Sequence, residues 1–214
     1  MASKVEVANL ALTKLGDDPI LLLTDDTKPA RTLNRIFDLV ADAEMKASWW
    51  KFALKRTALS ALADAPAWGY SYQYPLPSDY LGLVQVNDIY VRSTSRQSGA
   101  WSVEGNRLMT NLTAPLKVRY LSRVAVASWD PLFVDAFACK LAMESCETLT
   151  QSDSKFQRLA QQYKLAIDRA HAMDAIENPP EEFPSGSWNE SRNGPYGLAT
   201  GEDWSAYPSG VTIP

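Results

Sequence analysis

The sequence predicts an α+β fold: a bundle of N- and C-terminal helices with an inserted small antiparallel β unit and an extended C-terminal tail. Three observations predict it. Apolar residues recur at three- and four-residue spacing through the first 50 residues and again from 133 to 173, the period of a helix with one buried face. From 53 to 127 the pattern changes to period two, punctuated by Pro66, Gly69, Pro75, Pro77 and Gly82. The last 37 residues hold six of the 13 prolines and five of the 10 glycines, a composition that sets an extended tail apart from the body. The chain therefore divides into N-terminal helices (1–52), a β unit (53–127), C-terminal helices (128–177) and a tail (178–214).

The first helix begins at Ser3-Lys4-Val5-Glu6, a capping box in which hydroxyl and carboxylate satisfy each other's backbone donors. Val5, Ala8, Leu12 and Leu15 form its apolar stripe, and Gly16 stops it. Asp17-Asp18-Pro19 is a turn, and Ile20 to Leu23 is extended or irregular. Asp26 or Thr27 caps a second helix running from 28 to about 49, with Pro29 in its first turn. Its stripe is Leu33, Ile36, Phe37 and Val40.

In the β unit, strands are expected at Tyr70–Tyr74, Leu81–Val86, Ile89–Arg92, Ser102-Val103, Leu108–Thr110 and Leu116–Val126. Gly105-Asn106 joins two of them in a tight hairpin. Asp130-Pro131 then opens a third helix as N-cap and first residue, with Phe133, Phe137 and Leu141 on one face. Residues 151–154 interrupt it. A fourth helix follows, its stripe running through Phe156, Leu159, Tyr163, Ile167, Ala170 and Met173 until Asn178-Pro179-Pro180 ends it. The Phe156/Leu159/Tyr163/Ile167 stripe needs a partner, and the Leu33/Phe37/Val40 stripe is the available complement.

Composition bounds the function. The chain has 214 residues, 46% apolar and 21% charged, with a mean hydropathy of -0.23, and reads as a folded globular protein. No apolar run approaches the ~20 residues of a membrane span. The N-terminal residues lack the unbroken apolar stretch of a signal peptide. The net charge is -4, and the tail alone, with five acids against Arg192, also carries -4. The body is neutral, with 20 charges of each sign, a poor match to a protein that wraps nucleic acid.

Chemistry-bearing residues are sparse. Cys139 and Cys146, seven apart on one helix, lie about 10 Å from each other, too far for a disulfide, and read as two buried thiols. His171 is the sole histidine, so no His cluster or CxxC pair is available for a metal, and without a nucleophile motif it reads as a surface or groove residue. Gly69-Tyr70-Ser71-Tyr72-Gln73 departs from a nucleophile elbow at Gln73, and no phosphate-cradling glycine loop occurs. Asp17-Asp18 and Asp25-Asp26 offer oxygen ligands for a divalent cation, but turns and caps use aspartate in such places routinely. No catalytic, cofactor-binding or metal-binding residue is therefore assigned. Trp49, Trp50, Trp68, Trp101 and Trp129 fall at helix–strand boundaries, either in a shared core or as anchors at subunit contacts. The tail carries Phe183, Trp188, Tyr196, Trp204 and Tyr207, more aromatics than a solvated linker holds.

Val7-Ala8-Asn9-Leu10-Ala11-Leu12 with Leu15-Gly16 and Ile20, a long helix, and then Trp50-Lys51-Phe52-Ala53-Leu54-Lys55-Arg56 follow one another in order. Tyr74-Pro75-Leu76-Pro77-Ser78-Asp79-Tyr80-Leu81, Trp101-Ser102-Val103-Glu104-Gly105 with Leu108, Val118-Arg119-Tyr120-Leu121, and Asp130-Pro131-Leu132-Phe133 continue the series, and Ser187-Trp188 with Arg192 closes it. This series resembles the head-to-tail adaptor family of short-tailed bacteriophages, also called tail tubular protein A. Gly82 departs from it, standing where the family commonly has arginine. The resemblance implies a virion structural protein, made in the bacterial host cytoplasm, that forms a dodecameric ring between the portal protein and the tail nozzle protein. DNA passes through the lumen without specific binding, no membrane is involved, and no cofactor is needed. Phe183, Trp188, Arg192, Tyr196, Trp204 and Tyr207 are the candidate contacts to the portal or to a neighbouring subunit. The alternatives are another phage connector, tail-completion or assembly protein, and a small carboxylate-dependent enzyme.

Overall fold

Four helices and seven strands make up the computed structural model, which describes residues 2–87, 89–91 and 101–177. The expected α+β class holds: helices at both ends of the described chain enclose an antiparallel β unit in sequence.

Local signals set the helix ends. In α1 (Lys4–Leu15) the Ser3 hydroxyl accepts from the Glu6 amide at 3.2 Å, and the Ser3 amide donates to Glu6 Oε2 at 2.7 Å. Those bonds from Ser3 hold the Glu6 carboxyl below its usual range. Gly16 ends the helix at φ 72°, a left-handed conformation that a Cβ would strain. The buried face of α1 is Val7, Ala8, Ala11, Leu12 and Leu15, so the expected stripe holds except that Val5 sits at its half-buried rim. Asn9 then clamps the following loop, bonding both the amide and the carbonyl of Ile20 at 2.9 Å. Thr27 caps α2 (Lys28–Ala47) by accepting from Ala30.

The β unit consists of two sheets. One has the order β1 (Leu54–Leu59), β7 (Leu116–Ser122), β3 (Tyr80–Val86), β4 (Ile89–Tyr90); the other has β2 (Tyr72–Pro75), β6 (Arg107–Thr110), β5 (Trp101–Glu104). Every pairing is antiparallel. Chain entry and exit run side by side, with Leu54 opposite Leu121. Leu59, Val86, Leu116, Val118 and Tyr120 of the first sheet meet Tyr74 and Leu108 of the second in one apolar cluster. Gly105, at φ 59°, makes the turn between β5 and β6 where the hairpin is expected.

Three expectations need correction. Strand β1 was not among the expected strands: Lys55-Arg56-Thr57 between Leu54 and Ala58 breaks any apolar alternation, and its burial does not alternate either. Tyr70 lies before β2 rather than in it. The closing strand ends at Ser122 rather than Val126, where the chain tightens into a 3-10 turn, Val126–Ser128. Arg92 lies outside the described residues.

The bundle also pairs differently from expectation. In α3 (Pro131–Leu149), buried residues surround the axis: Phe133, Ala136, Phe137, Ala138, Cys139, Leu141, Ala142 and Cys146. A helix apolar on all sides must be central. The α1, α2 and α4 helices all pack on it. The α2 stripe meets α3 through Phe37 and Phe137, edge to face at 5.2 Å, instead of meeting the stripe of α4 (Asp153–Ile176). On α4 only Leu159 and Ala170 are fully buried, and Phe156 is 45% exposed. Helices and strands together form one compact unit that ends at Glu177.

Candidate partner-binding site

Two short turns link the bundle to the β unit, and both are aromatic. After α2, Ser48 adopts an extended conformation and the chain turns through Trp50 into the 3-10 turn Lys51–Ala53. On the return, Val126–Ser128 leads through Trp129 to Asp130, which caps α3 by accepting from Leu132 at 2.8 Å and from Phe133 at 3.3 Å. The last turns of α4 lie alongside. Together they enclose a cleft of about 420 Å³, walled by Trp50, Phe52, Trp129 and Met173 and edged by Asp174 and Glu177.

The cleft floor is rigid. Trp50 packs edge-on against Phe133 at 4.9 Å and flat against His171 at 4.3 Å, the planes 9° apart. Its indole N–H donates to the Glu44 carbonyl at 3.2 Å. Trp129 is fixed likewise, its N–H donating to the Val124 carbonyl and its ring against Phe133 and Phe137. Asp174 accepts from the Lys51 amide at 3.0 Å, tying α4 to the turn. Lys51 Nζ is buried and has no hydrogen-bond partner among the described residues. A buried ammonium without an acceptor costs stability.

His171 lies half-buried in a groove, and its Nε2 is 3.3 Å from Ser48 Oγ. The contact joins the end of α2 to α4. Among the described residues no carboxylate hydrogen-bonds His171. The acidic pairs have structural duties. Asp17 accepts from the Asp18 amide, Asp25 closes a turn by accepting from Leu21 and Leu22, and Asp26 pairs with Arg31 at 2.6 Å. Among the described residues no group of three or more His, Cys, Asp or Glu could hold a metal ion. Cys139 and Cys146 are buried and free.

Trp50 and Trp129 are core, whereas Trp68 is 87% exposed beside the second sheet. The candidate contacts Phe183, Trp188, Arg192, Tyr196, Trp204 and Tyr207 lie outside the described residues. Three exposed apolar side chains were not singled out from the sequence: Leu39 on α2, 72% exposed, and Leu165 and Ile176 on α4, 72% and 73% exposed. All three lie off the stripes expected for their helices, and that was the available signal. No helix among the described residues is long and apolar enough to cross a membrane. The chain matches no protein-family model and no curated protein sequence.

Proposed function

We propose that this chain is a ring-forming head-to-tail adaptor of a short-tailed bacteriophage, seated between portal and tail nozzle, with DNA passing through its lumen. The observation that carries the reading is the motif series from Val7 to Arg192, whose pieces follow one another in the family's order and spacing. A closed ring is built from a heterologous contact, in which each subunit offers two different patches to its two neighbours. Exposed apolar side chains on two different helices, Leu39 on α2 and Leu165 and Ile176 on α4, are compatible with two such contacts.

The cleft at Trp50, Lys51 and Trp129 and the aromatic tail are the contacts assigned to the portal or the next subunit, with Trp188, Tyr196 and Trp204 as anchors and Phe183, Arg192 and Tyr207 beside them. The neutral body suits a lumen that lets DNA slide, so duplex affinity is weak and falls steeply with salt. Mass measurement of the protein with and without the cognate portal ring, followed by negative-stain microscopy, tests the reading. Rings of this chain, alone or on the portal, are the expected result. A monomer that leaves the portal's mass unchanged, or nanomolar duplex binding at physiological salt, overturns it.

A further inference from the structure

Strand β1 ends the first sheet and pairs with β7 alone, in unbroken register from Leu54 opposite Leu121 to Leu59 opposite Leu116. The Leu54 amide donates to the Lys51 carbonyl, and among the described residues no other backbone hydrogen bond reaches β1 from outside its sheet. Edges of this kind are usually blunted by proline, a bulge or charge. Here the device is charge alone, of one sign. The four strands contain Lys55, Arg56, Lys117 and Arg119 and no aspartate or glutamate. Arg56 stands directly opposite Arg119, a like-charge pair that costs stability, and neither these two nor Lys117 has an ion pair among the described residues. Such an edge repels a second β1 and accepts an acidic strand.

We infer that the β1 edge receives residues 196–207 of a neighbouring copy as an added strand. An added strand donates N–H groups to the edge from alternate residues, so a proline-free run can seat in either register. Residues 196–207 form the longest proline-free run beyond Glu177, and they hold Glu202 and Asp203 with no base. The other long run, 185–194, sets Glu190 against Arg192 and has no net charge. Alternate residues of a strand face opposite sides, so adjacent Glu202 and Asp203 put one carboxylate on each face. Adjacent Lys55 and Arg56 put one cation on each face of β1; Lys55 is already ion-paired with Asp79 at 2.6 Å, which leaves Arg56 as the unpaired one. The 18 residues between Glu177 and Tyr196 span up to about 60 Å extended, enough to reach another subunit. Seating in a neighbour rests on the ring reading above.

The test uses full-length chains. Protein with Ala58→Cys is mixed with protein carrying Thr200→Cys or Ser205→Cys and oxidised; the native cysteines are buried. An inter-chain adduct is expected. Arg56→Glu with Arg119→Glu should cut it about tenfold or more, and Glu202→Arg with Asp203→Arg on the partner should restore it. Should the body variant fail to fold, the tail reversal alone must cut the adduct by the same factor. Three results overturn the inference: an adduct indifferent to both reversals, an adduct only within a chain bearing both cysteines, and duplex DNA binding lost in Arg56→Glu while no adduct forms. Microscopy of the same samples separates the two readings. Rings without the adduct remove only the strand, and an adduct without rings removes only the adaptor.

Discussion

Tyr163 on α4 donates its hydroxyl hydrogen to Glu44 Oε2 on α2 at 2.6 Å, reaching past α3. The Lys140 ammonium of α3 joins them, 3.9 Å from Glu44 Oε1 and 5.4 Å above the Tyr163 ring. Three helices are thereby fixed at one point. A bond to a charged acceptor contributes more than a neutral one, so Tyr163→Phe should cost about 1.5–3 kcal/mol in urea unfolding. A loss under about 0.5 kcal/mol would show the contact to be incidental.

The β unit has a pH signature. Burial, and then the bond to Asp79, push the Tyr120 hydroxyl up to about 12. Between the ordinary tyrosine value of 10.0 and that value, the unfolded chain releases a proton that the folded chain keeps, so stability falls as pH rises. Asp79 has the opposite sign. Burial pushes its carboxyl upward, but bonds from Lys55 and Tyr120 outweigh that and hold it below the usual range. Its contribution is present above the ordinary value of 3.8 and is lost as pH falls through the folded value. Tyr120→Phe should flatten the alkaline limb of a stability–pH curve, and Asp79→Asn the acid limb. A wild-type curve unchanged by both substitutions contradicts the assignment.

Trp129 touches Phe37, Phe133 and Phe137, and no single aromatic contact explains its place. Trp129→Ala opens the core where α2 meets α3 and should cost about 3–5 kcal/mol, read from the denaturation midpoint at unchanged slope.

Lys51 gives a prediction with two readouts. Its buried Nζ lacks an acceptor, so Lys51→Met should raise stability by about 1 kcal/mol. The same substitution should weaken attachment to the portal ring if a partner supplies that acceptor. Falling stability together with unchanged attachment would remove the cleft from the interface.

Deleting residues 181–214 should leave the body folded, since both apolar clusters lie within the described residues before Glu177. Gel filtration should show a compact particle that no longer joins the portal. Attachment at undiminished affinity would show that the tail is dispensable.

What was legible in the sequence was what a few adjacent residues decide. Ser3 with Glu6, Asp130 before Pro131, and Gly105 before Asn106 each satisfy a local geometric demand, and each acts as read. Packing partners are another matter. The α4 stripe shows that a face is buried but not which helix covers it, and α3 takes that place because small residues such as Ala138 and Ala142 admit neighbours on every side. Strand β1 escaped because consecutive Lys55 and Arg56 leave it no period-two apolar pattern to show. The cleft was hidden more deeply, since lysine reads as a surface residue and only three-dimensional packing around the two turns buries Lys51 Nζ.

The central position of α3 has a consequence for synthesis on the ribosome. The first two helices are complete by Ala47, yet the helix they pack on ends only at Leu149. During the translation of roughly a hundred intervening residues, at about 5–20 residues per second, Leu12, Leu15, Leu33 and Phe37 have no native cover. The nascent chain therefore carries adhesive helices for several seconds, and docking is a late event that waits for α3. Partial products truncated before α3 should be captured by holdase chaperones, while chains extended beyond α4 escape them.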